Sequence, residues 1–365
     1  MNITCNIEKL KNAVLVADRM TGKNLTLPIL HAVFLQASGK SVKIRSTNLN
    51  VGIEIEIPAT IEQEGEVVVK GDILTNVCNN LPSTGFITLF LDHDNLTLKS
   101  EKTTTLIKSL PSDEFPALPI VEGDMFEIST TIFQEGVKAV SFAAAVTEIK
   151  PEIASIYIYS EDELLYFVAT DSFRLAEKKI KVKKIPDISK LLIPYKNIND
   201  LIRILEVCGE SIYVSYTRNQ LSIRSGGIYF TTRLIDGGFP QYQLIIPKEE
   251  TTKVVLMKQD LINTLKLSTV FADKFFQVIF TISPNTKQIT ISSKNSDVGS
   301  SISLVDAVIE GGEIEVVCNL KYFLDVFQSI PGDSVSLSFT TPNKPIVVRS
   351  VNDHSFLYLL MPTNR

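Results

Sequence analysis

The 365-residue chain predicts an α+β fold of three repeated domains, each made of two helices packed on antiparallel sheets. Three observations carry this expectation. First, one pattern returns about every 125 residues: a helix-like stretch, a stop, then two short alternating strands. It reads KGDILTNVCNNLPSTGFITLFLDHDNLTLKS at 70–100, YKNINDLIRILEVCGESIYVSYTRNQLSIRS at 195–225 and NLKYFLDVFQSIPGDSVSLSFTTPNKPIVVRS at 319–350. Second, a strand followed by a helix precedes each copy, at 3–20, 126–145 and 254–272. Third, the segments between are rich in period-2 alternation, clearest in VGIEIEIPA, where Glu54 and Glu56 alternate with Ile53, Ile55 and Ile57.

Taken in order, the first helix places Leu10, Val14 and Ala17 on one face at i, i+4, i+7. Its counterpart in the third repeat has Leu261, Leu265 and Leu267 on the apolar side, with Lys258, Lys266 and Lys274 outside it. The stops Leu81-Pro82, Cys208-Gly209 and Ile330-Pro331 fall at matching places, before matching strands at 87–89, 212–214 and 335–337. Two short proline-rich linkers, LPSDEFPALPIVEGD at 110–124 and DGGFPQYQLIIPKEE at 236–250, both contain Phe-Pro and divide the chain into domains 1–121, 122–248 and 249–365. Each helix needs one apolar stripe for its sheet and leaves the other face to solvent or a partner.

Composition narrows the function. The content is 44% hydrophobic and 21% charged, ordinary for a soluble protein. No apolar run approaches the roughly 18 residues of a membrane span. The start, MNITCNIEKLKNAVLV, lacks the features of a signal peptide, so a cytoplasmic protein is expected. Cys5, Cys78, Cys208 and Cys318 lie far apart and read as reduced thiols. Net charge is −5, divided as 11 basic against 13 acidic, 15 against 16 and 10 against 12 over the three domains. None has the positive excess of a conventional nucleic-acid binder.

Chemistry is sparse. His31, His93 and His354 have no second ligand at metal spacing. No GxSxG, GxxxxGK[ST], HExxH or GxGxxG occurs, so neither a metal, a cofactor nor a catalytic set is expected. The basic run Lys178, Lys179, Lys181, Lys183 and Lys184 alternates with Ile180, Val182 and Ile185, which suggests the wet face of an edge strand. VATDSFRLA, residues 168–176, is the most distinctive stretch. Either Asp171 caps a turn and pairs with Arg174, or Thr170, Phe173, Arg174 and Leu175 line a groove near the surface.

LTLPILHAVFLQ (25–36), VATDSFRLA, LIDGGFPQY (234–242) and YLLMPTNR (358–365), in this order, resemble the bacterial DNA polymerase III beta subunit family of sliding clamps. The resemblance covers essentially the whole chain. It implies a non-catalytic processivity factor: a head-to-tail homodimer whose six domains close a ring around duplex DNA and tether the replicative polymerase. Further partners would be the clamp loader and other proteins carrying a clamp-binding peptide. Retention by topology requires no tight phosphate binding, in keeping with the charge.

By position, the family's partner-peptide pocket falls on Ala154, Thr170, Ser172, Phe173, Arg174, Leu175, Pro240, Leu244, Ile245, Asn343, Pro345, Leu359, Met361, Pro362 and Thr363. Phe173 stands where histidine is usual, Leu244 where arginine is common and Ala154 where a larger aliphatic is common, which makes the pocket more apolar. Lys23, Asn24 and Lys196 correspond to DNA-facing positions, and helix position adds Lys9, Lys138, Arg203, Lys266 and Lys321. The dimer interface would join the TTTLIK edge at 103–108, with Leu74, Thr105, Ile107 and Lys108, to Val270, Phe271 and the segment 295–302. The acidic run expected there is reduced to Asp297 among serines. Two readings from other classes are a monomeric β-rich scaffold that binds peptides and an enzyme with an unrecognised site.

Overall fold

The computed structural model describes residues 1–22, 27–82, 84–183, 187–188 and 190–363. These form two compact units, 1–133 with 197–234 and 134–196 with 235–365.

In the first unit, thirteen strands join into one sheet system. Its main path runs from Asp124–Ser129 through Ser211–Tyr216, Gln220–Ser225, Ile228–Arg233, Val51–Gln63, Asn2–Asn6, Phe86–Asp92 and Asn95–Lys99 to Thr104–Ile107. The strands Ala32–Ser38, Ser41–Thr47 and Gly65–Lys70 attach beside Val51–Gln63. That long strand pairs with Ser41–Thr47 and Ile228–Arg233 along its first half and with Asn2–Asn6 near its end. Helices α1 (Ile7–Arg19) and α2 (Gly71–Asn79) pack together. The Asn6 side chain caps α1 by accepting the Lys9 N–H at 3.0 Å, and Leu10, Ala13, Val14 and Ala17 are buried along its inner stripe.

Helix α3 (Thr130–Val140) begins in the first unit and continues into the second; α4 (Ile198–Val207) belongs to the first and buries Ile198, Leu201, Ile204 and Leu205.

The second unit holds a nine-stranded sheet, from Leu191–Pro194 through Ser155–Glu161, Leu164–Thr170, Arg174–Lys181, Phe356–Leu360, Ile346–Ser350, Ser334–Phe339 and Thr252–Met257 to Val308–Gly311. Beside it lies a four-stranded sheet ordered Gly299–Asp306, Gln288–Asn295, Gln277–Ser283, Ile314–Asn319. Helices α5 (Lys258–Val270) and α6 (Leu320–Asp325) complete the unit, and Asn319 caps α6 by accepting the N–H groups of Lys321 and Tyr322. On α3, Gly136 sits against the ring of Phe167: a Cβ there would come within 2.2 Å of it, so only glycine allows this approach.

Neighbouring repeats join by strand pairing, and the same rule governs both joins. The third strand after the second helix of one repeat pairs with the third strand after the first helix of the preceding repeat. Thus Ile228–Arg233 pairs with Val51–Gln63, with Phe230 opposite Ile53, and Phe356–Leu360 pairs with Arg174–Lys181, with Leu359 opposite Leu175. Continuous sheet at each join is why compactness divides the chain into two units although the repeat is threefold.

Several expectations change. The basic strand Arg174–Lys181 is interior, hydrogen-bonded on both sides. Lys178 is buried, with its Nζ 2.9 Å from Glu135, 3.7 Å from Asp353 and 2.8 Å from the Ser355 hydroxyl; Lys184 lies outside the described residues. Alternation alone describes one strand and cannot see whether a second covers it. Leu267 projects from α5 into solvent, while Leu261 and Leu265 are buried. Aromatic stacking pins both Phe-Pro linkers: Phe115 stacks on Phe34 at 5.2 Å and Phe239 on Tyr157 at 4.8 Å. All four cysteines are free thiols, and burial raises Cys5 to about 12 and Cys78 to about 11.

Candidate functional site

VATDSFRLA forms a hairpin joining Leu164–Thr170 to Arg174–Lys181. Asp171 Oδ1 accepts the N–H groups of Phe173 (2.9 Å) and Arg174 (3.0 Å), while the Thr170 hydroxyl donates to the Arg174 carbonyl at 2.6 Å. Ser172 sits at φ 78°, which turns the chain within three residues. The capping role of Asp171 and the groove therefore coexist, because the cap shapes the groove's wall.

Arg174 is part of that frame. Its Nε lies 2.9 Å from Asp171 Oδ2 and its Nη1 2.5 Å from Asp325 Oδ2. The guanidinium lies 4.4 Å over the Tyr322 ring and 5.8 Å over Phe142. Burial works against its charge, but the hydrogen bonds and neighbouring charges leave its pKa above the ordinary arginine value.

Behind the hairpin, a small cleft of about 140 Å³ is lined by Ile153, Thr170, Ser172, Arg174, Leu175, Pro240, Gln241, Tyr242, Ile245, Leu359 and Met361. Its floor is core: Leu175, Leu359 and Tyr242 pack with Val168, Val347 and Leu357. The cleft opens at Ile245 and Met361 into a wider groove of about 520 Å³ that also takes in Leu244, Asn343, Lys344 and Pro345. The Met361 N–H donates to the Phe173 carbonyl at 2.8 Å, tying the C-terminal strand to the hairpin, and the Thr363 N–H donates to the Val317 carbonyl. Phe173 is exposed on the rim, and Leu244 is 79% exposed.

Among the cleft's polar groups, the Tyr242 phenol is already committed. Tyr242 donates to buried Glu177 at 2.5 Å and bonds Tyr159 at 2.8 Å, while Lys179 pairs with Glu177 at 3.1 Å. Burial, then the Glu177 charge, push the Tyr242 pKa far above the tyrosine range, so it remains a donor. An occupant meets an aliphatic surface with no spare phenol, suited to alkyl side chains of an extended peptide.

Of the residues expected here, Thr170, Ser172, Arg174, Leu175, Pro240, Ile245, Leu359 and Met361 line the inner cleft, and Leu244, Asn343 and Pro345 the outer groove. Phe173, Pro362 and Thr363 line neither; Ala154 is buried, and its neighbour Ile153 faces the cleft. Sequence reasoning missed Ile153, Gln241 and Tyr242 of the inner cleft and Ile246, Pro247, Lys248, Glu249, Thr340 and Lys344 of the outer groove.

Lys9, Lys138, Arg203, Lys266 and Lys321 are all exposed on helices, and Lys196 is exposed just before α4. Lys196 pairs with Glu148 at 3.1 Å, Arg203 lies 3.6 Å from Asp200, and Lys321 lies 3.4 Å over the Phe276 ring. Lys23 and Asn24 lie outside the described residues. Among the interface positions, Leu74 and Ile107 are buried within their own unit. Thr105 is half-buried, Lys108 exposed, and Leu106 is the outward-facing residue at 51% exposure. Val270 is exposed and Phe271 half-buried. Among the described residues no three His, Cys, Asp or Glu side chains gather as metal ligands. No helix is long and apolar enough to cross a membrane.

The chain is similar throughout to known proteins. It is 27% identical over 388 residues to the beta sliding clamp of Synechocystis sp. and 26% over 375 residues to that of Bacillus subtilis, covering 99% of each and 99% of itself. The DNA polymerase III beta subunit of Thermotoga maritima superposes with a TM-score of 0.93 at 27% identity, over 100% of this chain and 99% of that one. A Pseudomonas aeruginosa sliding clamp bound to griselimycin shares the fold at a TM-score of 0.95 and 23% identity, over 100% of both chains. With the family's N-terminal, central and C-terminal domains matched in order over residues 1–119, 127–241 and 243–364, the chain belongs to the DNA polymerase III beta subunit family, the non-catalytic beta sliding clamps.

Proposed function

We propose that two copies of this chain join head to tail into a ring of six domains, bounded near 121 and 248, that encircles duplex DNA and tethers the replicative polymerase. The carrying observation is the joining rule between repeats. Applied once more, it pairs the third strand after α2, Thr104–Ile107, with the third strand after α5, Gly299–Asp306. Both are the outermost strands of their sheets among the described residues. Both expose apolar side chains, Leu106 on one and Ile302 (73%) and Leu304 on the other. An exposed, apolar strand edge is an association site unless something covers it. One end supplies the first strand and the other end the second, so the contact is heterologous and needs closure to avoid a filament.

The cleft around Thr170, Leu175 and Met361 is the tether: an aliphatic pocket for a short peptide carried by the polymerase, the clamp loader and other replication or repair proteins. The helix-borne Lys9, Lys138, Arg203, Lys266 and Lys321, with Lys196, are expected to face the DNA backbone without reading sequence. A chain of net charge −5 holds DNA by enclosure rather than by phosphate neutralisation. The cytoplasm, where replication takes place in bacteria, is the expected compartment.

Loading the protein with its loader onto nicked circular DNA, then linearising the circle, tests the enclosure. Protein should stay on circles and run off linear ends; equal retention on both forms would remove the sliding mechanism.

A further inference from the structure

The first join between repeats carries a second cleft. We propose that it binds a short, extended, acidic peptide with an aliphatic side chain, contributed by a partner protein. The cleft has a volume of about 440 Å³, and Lys43, Arg45, Leu118, Ile120, Arg224 and Tyr229 form its working surface.

Its position follows from the repeat. Each Phe-Pro linker crosses the sheet at a join, and counting from Phe-Pro aligns Leu118 with Tyr242 and Ile120 with Leu244. The strands align as well: Glu54 lies opposite Arg45 on one side and Tyr229 on the other, as Glu177 lies opposite Val168 and Leu357. Tyr242 turns in and is buried, while Leu244 turns out. Leu118 likewise turns in, over Gly52, where a Cβ would come 2.5 Å from its Cδ2, and Ile120 turns out at 72% exposure. A side chain at 52 would displace the Leu118 side chain from this seat.

The chemistry differs from that of the cleft in the second unit. Glu54 accepts from both Lys43 (3.0 Å) and Arg45, so one carboxylate serves two cations. Glu56 accepts the Ser41 hydroxyl. Arg224 has no carboxylate partner among the described residues; it stacks 4.9 Å from the Tyr229 ring centroid, with its donors open to solvent. Tyr229 is itself held by donating to the Pro119 carbonyl at 2.7 Å. The result is a guanidinium held in place by stacking, in a cleft with three cations against two carboxylates, beside the exposed Ile120. A peptide carboxylate would meet Arg224 through paired N–H donors while a neighbouring alkyl side chain covers Ile120 and Leu118. The exposed Ile120 and the neighbouring Leu118 offer a phosphate backbone nothing to bind but give an alkyl side chain a contact beside Arg224, which favours a peptide over nucleic acid.

The test uses fluorescence anisotropy of a labelled (Leu-Glu)4 peptide against the full-length protein. Saturable binding is expected, weakened at least about tenfold by Arg224→Glu and by Ile120→Asp. Met361→Asp, in the other cleft, should leave it within about twofold. Both cleft residues are exposed, so an unchanged melting temperature reports intact folding. A (Leu-Lys)4 peptide and a 12-base-pair duplex should not compete. The proposal is overturned by no saturation up to about 1 mM, by Arg224→Glu and Ile120→Asp leaving affinity unchanged, by loss of binding in Met361→Asp, or by the duplex displacing the peptide.

Discussion

Arg174 Nη1 lies 2.5 Å from Asp325 Oδ2, so the hairpin that walls the peptide cleft is bonded to helix α6. Two residues 151 positions apart share one ion pair, and the same guanidinium also holds Asp171 and stacks on Tyr322. Removing Arg174 leaves Asp171 without its partner and uncovers the Tyr322 face. Arg174→Ala is expected to destabilise by about 3–5 kcal/mol, the range for breaking a largely buried pair. Asp325, nearly half exposed, should cost less than about 1 kcal/mol when changed to Asn. Urea midpoints of the two variants measure the difference, and equal losses would show that Asp325 rather than Arg174 organises the site.

Met361 is shared by the inner cleft and the outer groove. Placing a carboxylate there puts a charge into an aliphatic surface. Met361→Asp should weaken binding of a polymerase-derived clamp-binding peptide at least about tenfold while leaving the oligomeric mass unchanged. Calorimetric titration with that peptide reads the first quantity and sedimentation the second; unaltered affinity would take Met361 out of the binding surface.

Leu106 and Ile302 lie on the two uncovered strand edges. Ile302→Asp or Leu106→Asp should shift the sedimentation mass toward the single chain's 40.5 kDa, with peptide binding retained. The folded chain should persist, because both side chains already face solvent. A dimer of undiminished stability in the double variant would place the interface elsewhere.

Glu54 links stability to pH. Burial raises its pKa, but the hydrogen bonds and charges of Arg45 and Lys43 outweigh this and bring it below the ordinary 4.5. A carboxylate with a depressed folded pKa stabilises above its unfolded value, and that stability is lost as pH falls through the folded one. Glu54→Gln should therefore cost about 0.5–1 kcal/mol at neutral pH, allowing for partial exposure. The difference from the parent protein should disappear below pH 4.5 as the folded carboxyl titrates. Denaturant midpoints across that range give the answer, and a difference independent of pH would mean lost packing instead.

Much of the fold was legible because each repeat writes its helices and strands locally. The i, i+4, i+7 stripe of Leu10, Val14 and Ala17 and the alternation around Glu54 both depend on residues a few positions apart. The cleft was legible by resemblance, through VATDSFRLA and the C-terminal strand. Where the reading failed, the missing information was a distant neighbour. Lys178 looked like a wet edge residue because alternation does not include Phe356–Leu360, which covers that strand. That Leu106 faces outward and Ile107 inward was not legible either, because no local signal states which face of a short strand meets its own sheet.

The sequence by itself determined three copies of a helix-and-sheet unit, the positions of the breaks between them, an even distribution of charge and the lack of any spacing for catalysis or metal. These are set by short-range periodicity and composition. Only the tertiary structure decided that repeats join by strand pairing, that Arg174 is locked by Asp325 and Tyr322, that Tyr242 is committed to Glu177, and that Arg224 stacks on Tyr229 in the cleft that Ile120 also lines. Each of those is a contact between residues far apart in the chain, and its energy depends on burial and geometry that exist only once the sheets have formed.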